Sequence, residues 1–288
     1  MNPRLRAVLE ARLGAKLGSV ARVTGGDINE AYSAELDGGR RVFVKTHASA
    51  PPSLFPAEAR GLEWLRGRSE LHVPEVLAVS KPGDEISYLV LEWLESASPA
   101  RDFDERLGRG FAELHRAAVP GFGLDHDNFI GSLPQSNQPR ESWVTFFREQ
   151  RLEPQLERLA AARRASFSLR RSFERLFERL PELWGEAEPP ARLHGDLWGG
   201  NLHVGARGEP CLIDPAVYGG HREIDLGMMR LFGGFSERVF QAYDEAFPLS
   251  PGATERLALC QLYPLLVHAN LFGGSYVGSV ERIVARYT

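Results

Sequence analysis

Leu5, Val8, Leu9, Leu13 and Leu17 recur at helical spacing, so the chain is predicted to open with a helix. Short runs of strand character follow: VARV at 20–23, AYSAEL at 31–36 and RVFVKT at 41–46, with Gly-rich turns between them. Pro51, Pro52 and Pro56 mark a loop, after which Ala59, Leu62 and Leu65 fall on one face of a predicted helix over 55–66. VPEVLAVS at 73–80 and ISYLVLEWLE at 86–95 read as two further strands around a KPGDE turn. The expected unit is a five-stranded antiparallel sheet with one helix inserted after the third strand. From about residue 104 the helical period takes over, at 105–117, 142–162 and 168–180. A turn-rich stretch at 189–220 interrupts it, and helices resume over 222–232, 237–247, 253–272 and 279–287.

This order predicts an α+β, bilobal, protein-kinase-like fold: a small antiparallel β-sheet lobe over residues 1–94 and a mainly helical lobe over 95–288, with a cleft between them. The 288 residues suffice for two cores. Hydrophobic residues at 43% and charged residues at 25% are an ordinary globular balance. A formal charge of -4 argues against a nucleic-acid binder. No apolar run approaches a membrane span and no signal peptide is evident, so a soluble cytoplasmic protein is expected. Cys211 and Cys260 both sit in apolar runs and read as buried thiols. Lysine occurs only at 16, 45 and 81, which makes Lys45 at the end of the third strand conspicuous.

The strongest chemical signal is HGDLWGGN, His194 to Asn201, followed by LIDPA with Asp214. A phosphoryl-transfer site needs a carboxylate at the attacking hydroxyl and oxygen ligands for the metal that bridges the ATP phosphates. Asp196 and Asn201 stand five residues apart, the spacing of a kinase catalytic loop. LHV at 202–204, a GARGEP turn and CLI at 211–213 form a predicted hairpin that delivers Asp214. Singly, these residues have structural readings: an Asp capping a turn, or an Asn beside two glycines. Their order, spacing and intervening hairpin together favour chemistry, with Asp196 catalytic and Asn201 and Asp214 on Mg²⁺. His194 reads as structural. Asp225 either caps a helix or holds the catalytic loop by its backbone N–H groups.

Upstream, Lys45 suits the ATP phosphates and Glu58 is its matching partner on the next helix, with Glu63 the alternative. Gly25 and Gly26 in GGDINEA allow close approach of backbone to phosphate, or simply make a hairpin turn. No GK[ST] follows, which excludes a P-loop. Glu92, Trp93 and Leu94 would form an adenine-facing hinge.

With these residues in place, HGDLWGGN resembles the signature of the fructosamine/ketosamine 3-kinase family, within the wider aminoglycoside phosphotransferase-like superfamily. Further similar blocks are GLDHDNFIGSLPQSNQ at 123–138, WVTFFREQRLEPQL at 143–156, DPAVYGGHREIDLGM at 214–228 and YPLLVHANLFGGSYVGSVERIV at 263–284. The resemblance implies ATP- and Mg²⁺-dependent phosphorylation of the 3-hydroxyl of ketosamines, small or protein-bound. Phosphate on that oxygen lies β to the C2 carbonyl, so elimination then frees the amine. The resemblance also implies Asp196 as base, Lys45 and Glu58 as nucleotide clamp, and Trp198 and Trp143 as sugar-facing walls, although Trp143 equally reads as core. His268 and the HDN stretch at 126–128 read as packing or lobe-organising residues. The chain departs from the family where Asp27 replaces a frequent Cys and where WGGN replaces a WSGN-like stretch. The alternative enzyme is a kinase for another small hydroxyl compound, such as an aminoglycoside or choline-like amine. A pseudokinase would be expected to lack Lys45, Asp196 or Asp214, and all three are present.

Overall fold

The first lobe is organised by strand alternation, in which neighbouring side chains face opposite sides of a sheet. The computed structural model describes residues 1–23, 29–186 and 188–288. Strands β1 (Leu17–Val23), β2 (Glu30–Leu36), β3 (Arg41–Thr46), β4 (Val76–Val79) and β5 (Tyr88–Glu92) form one antiparallel sheet in the order β1-β2-β3-β5-β4. Val42, Val44, Tyr88 and Val90 point to one face, where Leu5 and Leu9 of α1 (Pro3–Leu13) cover them. Helix α1 starts where the Asn2 side chain accepts the Arg4 N–H at 2.8 Å and Pro3 takes the first turn; it stops at Gly14, which adopts φ +65°. Leu89 and Leu91 point to the other face, against Phe55, Leu62 and Leu65 of α2 (Leu54–Leu65). Lys45 pairs in register with Leu89 and so shares that second face, which is what brings it to α2 and the cleft.

That core continues into the second lobe through Phe103, Leu107, Phe111 and Leu114 of α3 (Phe103–Arg116). Beyond α3 come a short ladder of β6 (Asn128–Ile130) with β7 (Leu133–Gln135), then α4 (Trp143–Phe146), a π-helical turn over Phe147–Leu152, α5 (Glu153–Ala161) and α6 (Phe167–Trp184). The turn-rich stretch holds β8 (Ala191–Leu193), β9 (Leu202–Val204), β10 (Pro210–Leu212) and β11 (Tyr218–Gly220). Strand β9 pairs with β10 and β8 with β11, both antiparallel. Helices α7 (Glu223–Phe232), α8 (Glu237–Ala246), α9 (Ala253–Cys260), α10 (Leu262–Phe272) and α11 (Ser275–Tyr287) complete the lobe around a second, aromatic-rich core. Among the described residues, no helix is long and apolar enough to cross a membrane.

Two expected helices are interrupted, each at a proline. The helix expected over 142–162 is α4, the π-helical turn and α5, because Pro154 has no N–H for the Gln150 carbonyl and its ring crowds that oxygen. The Glu153 N–H bonds instead to the Arg148 carbonyl, and the Arg151 guanidinium takes the Gln150 carbonyl at 3.0 Å. The helix expected over 253–272 divides at Gln261, since Pro264 leaves Cys260 without its helical donor.

Candidate active site

The β9–β10 hairpin carries the site. Asn201 enters β9 from a 3₁₀ turn and Asp214 follows β10, and the Ile213 N–H on the Asn201 carbonyl at 3.1 Å holds the two ends together. Asn201 donates from Nδ2 to the Asp196 carbonyl at 2.8 Å, to Asp196 Oδ2 at 3.2 Å and to the Asp214 carbonyl at 3.4 Å. The amide nitrogen is thereby committed to protein, and Asn201 Oδ1 accepts no bond from any described side chain or backbone N–H. Asp214 is a non-glycine residue in the left-handed region, with φ +52°. Its Oδ1 meets Lys45 Nζ at 2.5 Å, and the same ammonium meets Glu58 Oε1 at 2.7 Å. Burial would depress the Lys45 pKa, but the charges of Asp214 and Glu58 outweigh it and raise the pKa, so the ammonium stays charged. Glu63, on the same helix, is solvent-exposed.

Asp196 is half-buried, and burial followed by the facing charge of Asp214 pushes its carboxyl up to about 8. A carboxylate so disposed can accept a proton near neutral pH. The loop beneath it is fixed by Asp225, fully buried in the first turn of α7. This carboxylate accepts the N–H of His194 on Oδ2 and that of Gly195 on Oδ1, each at 2.8 Å. Gly195 has φ +82°, and a Cβ there would lie 2.0 Å from the Ala216 carbonyl oxygen, so only glycine fits. His194 donates from Nε2 to the Ile213 carbonyl at 3.0 Å, and its Nδ1 lies 3.3 Å from the Asp196 N–H. Those two partners assign a neutral ring, in keeping with burial lowering its pKa. His194 is thus a bracket between the 194–201 loop and the strand leading to Asp214.

Sequence reasoning missed His115 and Tyr243. His115, buried on α3, has Nε2 at 3.3 Å from Asp225 Oδ2, and its Nδ1 meets the Tyr243 hydroxyl of α8 at 2.7 Å. The signal was faint: a His on the apolar stripe of the predicted helix over 105–117.

Trp198 is 44% exposed beside Asp196, and its indole lies over Gly200, where a Cβ would come 2.3 Å from the ring. Trp143 is a correction to the sequence reading. It is only 4% exposed, stacked on Phe147 at 5.2 Å and edge-on to Trp184 at 5.4 Å, so it packs the second core and offers no wall to the cleft. Glu92 ends β5, and its side chain turns to the Glu75 N–H and towards His72; Trp93 lies under the Arg41 guanidinium and is followed by half-buried Leu94. Gly25 and Gly26, together with Asp27, lie outside the described residues. His268 packs on Phe232 at 4.4 Å and on Tyr276 at 5.2 Å.

Glu188, His221 and Glu223 also converge. Glu188 is held by Arg222 and Glu223 by Arg256, each through two guanidinium nitrogens, so this is an ion-pair network with its carboxylates already engaged.

The family model described as fructosamine kinase matches residues 1–288. A protein of Enterococcus faecium assigned as a ketoamine kinase is 36% identical over 271 residues, 94% of this chain and 95% of that one. A chloroplastic protein-ribulosamine 3-kinase of Arabidopsis thaliana is 36% identical over 275 residues, covering 94% and 82% of the two chains. Among solved structures, one from Thermobifida fusca assigned as a fructosamine-3-kinase superposes with a TM-score of 0.87 at 38% identity, over 98% of both chains. Aminoglycoside phosphotransferase APH(4)-Ia, solved with ADP and hygromycin B, superposes with a TM-score of 0.64 at 16% identity, a likeness of fold.

Proposed function

Because the chain belongs to the fructosamine kinase family, we propose that it phosphorylates the 3-hydroxyl of ketosamines with ATP as donor and Mg²⁺ as cofactor. The observation that carries this reading is the convergence of Lys45, Glu58 and Asp214 from two lobes onto the Asp196–Asn201 loop. Asn201 Oδ1 and the outer oxygen of Asp214 are hard oxygen donors suited to Mg²⁺. Bound there, the metal would neutralise charge on the ATP phosphates. Lys45 positions the phosphates and Glu58 holds Lys45. Glu92, Trp93 and Leu94 lie at and just beyond the end of β5, where their backbone groups would meet adenine. Residues 1–94 are then the nucleotide lobe and 95–288 the catalytic and substrate lobe. Asp196 accepts the proton of the sugar O3–H as O3 bonds to the γ-phosphorus and the bond to ADP breaks. Exposed Trp198 supplies an apolar wall for the sugar. The nucleotide donor fits the cytoplasmic location expected from the sequence.

The test is a pair of substrates. 1-Deoxy-1-morpholinofructose should drive ATP consumption and its 3-deoxy analogue should not; equal consumption with both would rule out O3 as the acceptor. An aminoglycoside and choline in the same assay should give no turnover.

A further inference from the structure

We propose that a buried polar network formed by Asn128, Gln135, Asn137, Arg151 and Tyr263 is a positioning device that holds Asp214 in its metal-binding conformation and thereby sets the affinity for the metal–ATP complex. The inference rests on the phosphotransfer reading above and assigns a task to the sequence blocks that carry the family resemblance. Asn128, Gln135 and Asn137 come from the block at 123–138, Arg151 from the block at 143–156 and Tyr263 from the last block. They meet on the backbone of the block that begins with Asp214.

The connections are continuous. Arg151 donates to the Ser136 carbonyl and to Asn137 Oδ1, both at 2.6 Å. Asn137 Nδ2 donates to Asn128 Oδ1 at 2.9 Å and to the His126 carbonyl at 3.1 Å. Gln135 Nε2 donates to Asn128 Oδ1 at 2.7 Å and to the Ala216 carbonyl at 3.1 Å, while Tyr263 donates to Gln135 Oε1 at 2.5 Å. Asn128 Nδ2 donates to the Val217 carbonyl at 2.8 Å. The network therefore ends on two successive carbonyls, two and three residues beyond Asp214.

Those carbonyls matter because Asp214 is strained. A left-handed conformation is unfavourable for a non-glycine residue and persists only where its surroundings over-determine it. The catalytic loop holds both flanks, with His194 on the Ile213 carbonyl before Asp214 and the Ala216 N–H on the His194 carbonyl at 2.9 Å after it. The network reinforces the later flank through the Ala216 and Val217 carbonyls. Arg151 is fully buried and makes no ion pair with a carboxylate among the described residues. Carbonyl acceptors and the ring faces of Tyr218 at 3.8 Å and Phe146 at 4.6 Å surround its charge instead. An apolar side chain would fill that space without the cost of desolvating a charge, so what Arg151 contributes is a fixed geometry.

The test is the binding of Mn²⁺ in the presence of ATP, followed by electron paramagnetic resonance on the full-length protein, which needs no turnover. Gln135→Met should weaken Mn²⁺ by about tenfold or more, as loss of a group that orients a metal ligand does. Tyr263→Phe should weaken it by a smaller factor in the same direction. Metal-free ATP should bind both variants as it binds wild type. Leu176→Ala, a cavity in the neighbouring core, should lower thermal stability and leave Mn²⁺ affinity unchanged. Wild-type Mn²⁺ affinity in Gln135→Met and Tyr263→Phe overturns the proposal, as does equal weakening in Leu176→Ala. Should Gln135→Met fail to fold, Tyr263→Phe, which removes one oxygen, decides. A wild-type protein that binds no Mn²⁺·ATP overturns the phosphotransfer reading and this proposal with it.

Discussion

At the scale of single residues the site makes separable demands. Asp196→Asn keeps the shape of the side chain and removes the proton acceptor, so turnover should fall by about 100-fold or more while Mg²⁺·ATP binding persists. Near-normal rates in that variant would remove Asp196 from the chemistry. Lys45→Ala and Asp214→Ala should act on binding instead, and isothermal titration with Mg²⁺·ATP should find both weakened. Wild-type affinity in both would dismantle the two-lobe site. Gly200→Ala tests the wall. Its Cβ would run into the Trp198 indole and displace it. The expected result is a raised KM for the ketosamine with an unchanged KM for ATP, and the opposite split would place Trp198 on the nucleotide side. Gly199, the position where a WSGN-like stretch has Ser, carries a different constraint. A Cβ there would lie 3.1 Å from the Gly234 Cα, so this chain uses the missing side chain for a close backbone approach.

At the scale of elements, the anchor of the catalytic loop is the first turn of α7. Asp225 joins that helix to His194 and Gly195, and His115 and Tyr243 tie the same carboxylate to α3 and α8. Asp225→Asn replaces one acceptor oxygen by a donor that faces an N–H. Hydrogen bonds to a charged group are worth about 2 kcal/mol each, so unfolding free energy should fall by about that amount. The rate constant should fall with it, because the loop loses its support. A variant that is destabilised but fully active would make Asp225 a stability residue alone. Sequence disclosed these elements unevenly. That Lys45, Asp196, Asn201 and Asp214 come together was legible because fixed spacing and a hairpin pattern are local properties. The Arg151 network was not, because Tyr263 and the Ala216 and Val217 carbonyls reach the 128–151 segment only through packing of blocks far apart in the chain. Trp143 was ambiguous because aromatic walls and aromatic cores share a composition, and only burial separates them. The interrupted helices were legible in retrospect, since Pro154 and Pro264 stand inside otherwise unbroken helical periods.

At the scale of the whole molecule, stability is coupled to pH through groups far from the cleft. Glu188, just before β8, engages Arg222 and Ser250, and Arg222 reaches the carbonyls of Phe247 and Pro248 beyond α8. His221 lies beside this cluster, buried against Trp184 at 4.7 Å. Burial is the chief cause that lowers the His221 pKa to about 4, so the folded protein keeps the ring neutral where the unfolded chain protonates it near its ordinary 6.5. At this site the unfolded state therefore binds more protons between those values, and the His221 contribution to stability is fully present above pH 6.5 and lost as pH falls towards 4. Glu188 extends the effect. Burial opposes its charge, but Arg222 and Ser250 overcome that and lower its pKa to about 2 from 4.5. Its contribution is present above pH 4.5 and lost as pH falls through 2. Thermal midpoints across pH are therefore compared between wild type and each variant, because Asp196, with its carboxyl pushed up to about 8, adds a slope of opposite sign below that pH. His221→Gln should flatten the decline between pH 6.5 and 4 and leave the lower window intact. Glu188→Gln should be less stable at neutral pH, since Arg222 loses its charged partner, yet show a shallower fall below pH 4.5. Identical slopes in wild type and both variants would mean that the acid sensitivity of the fold resides elsewhere.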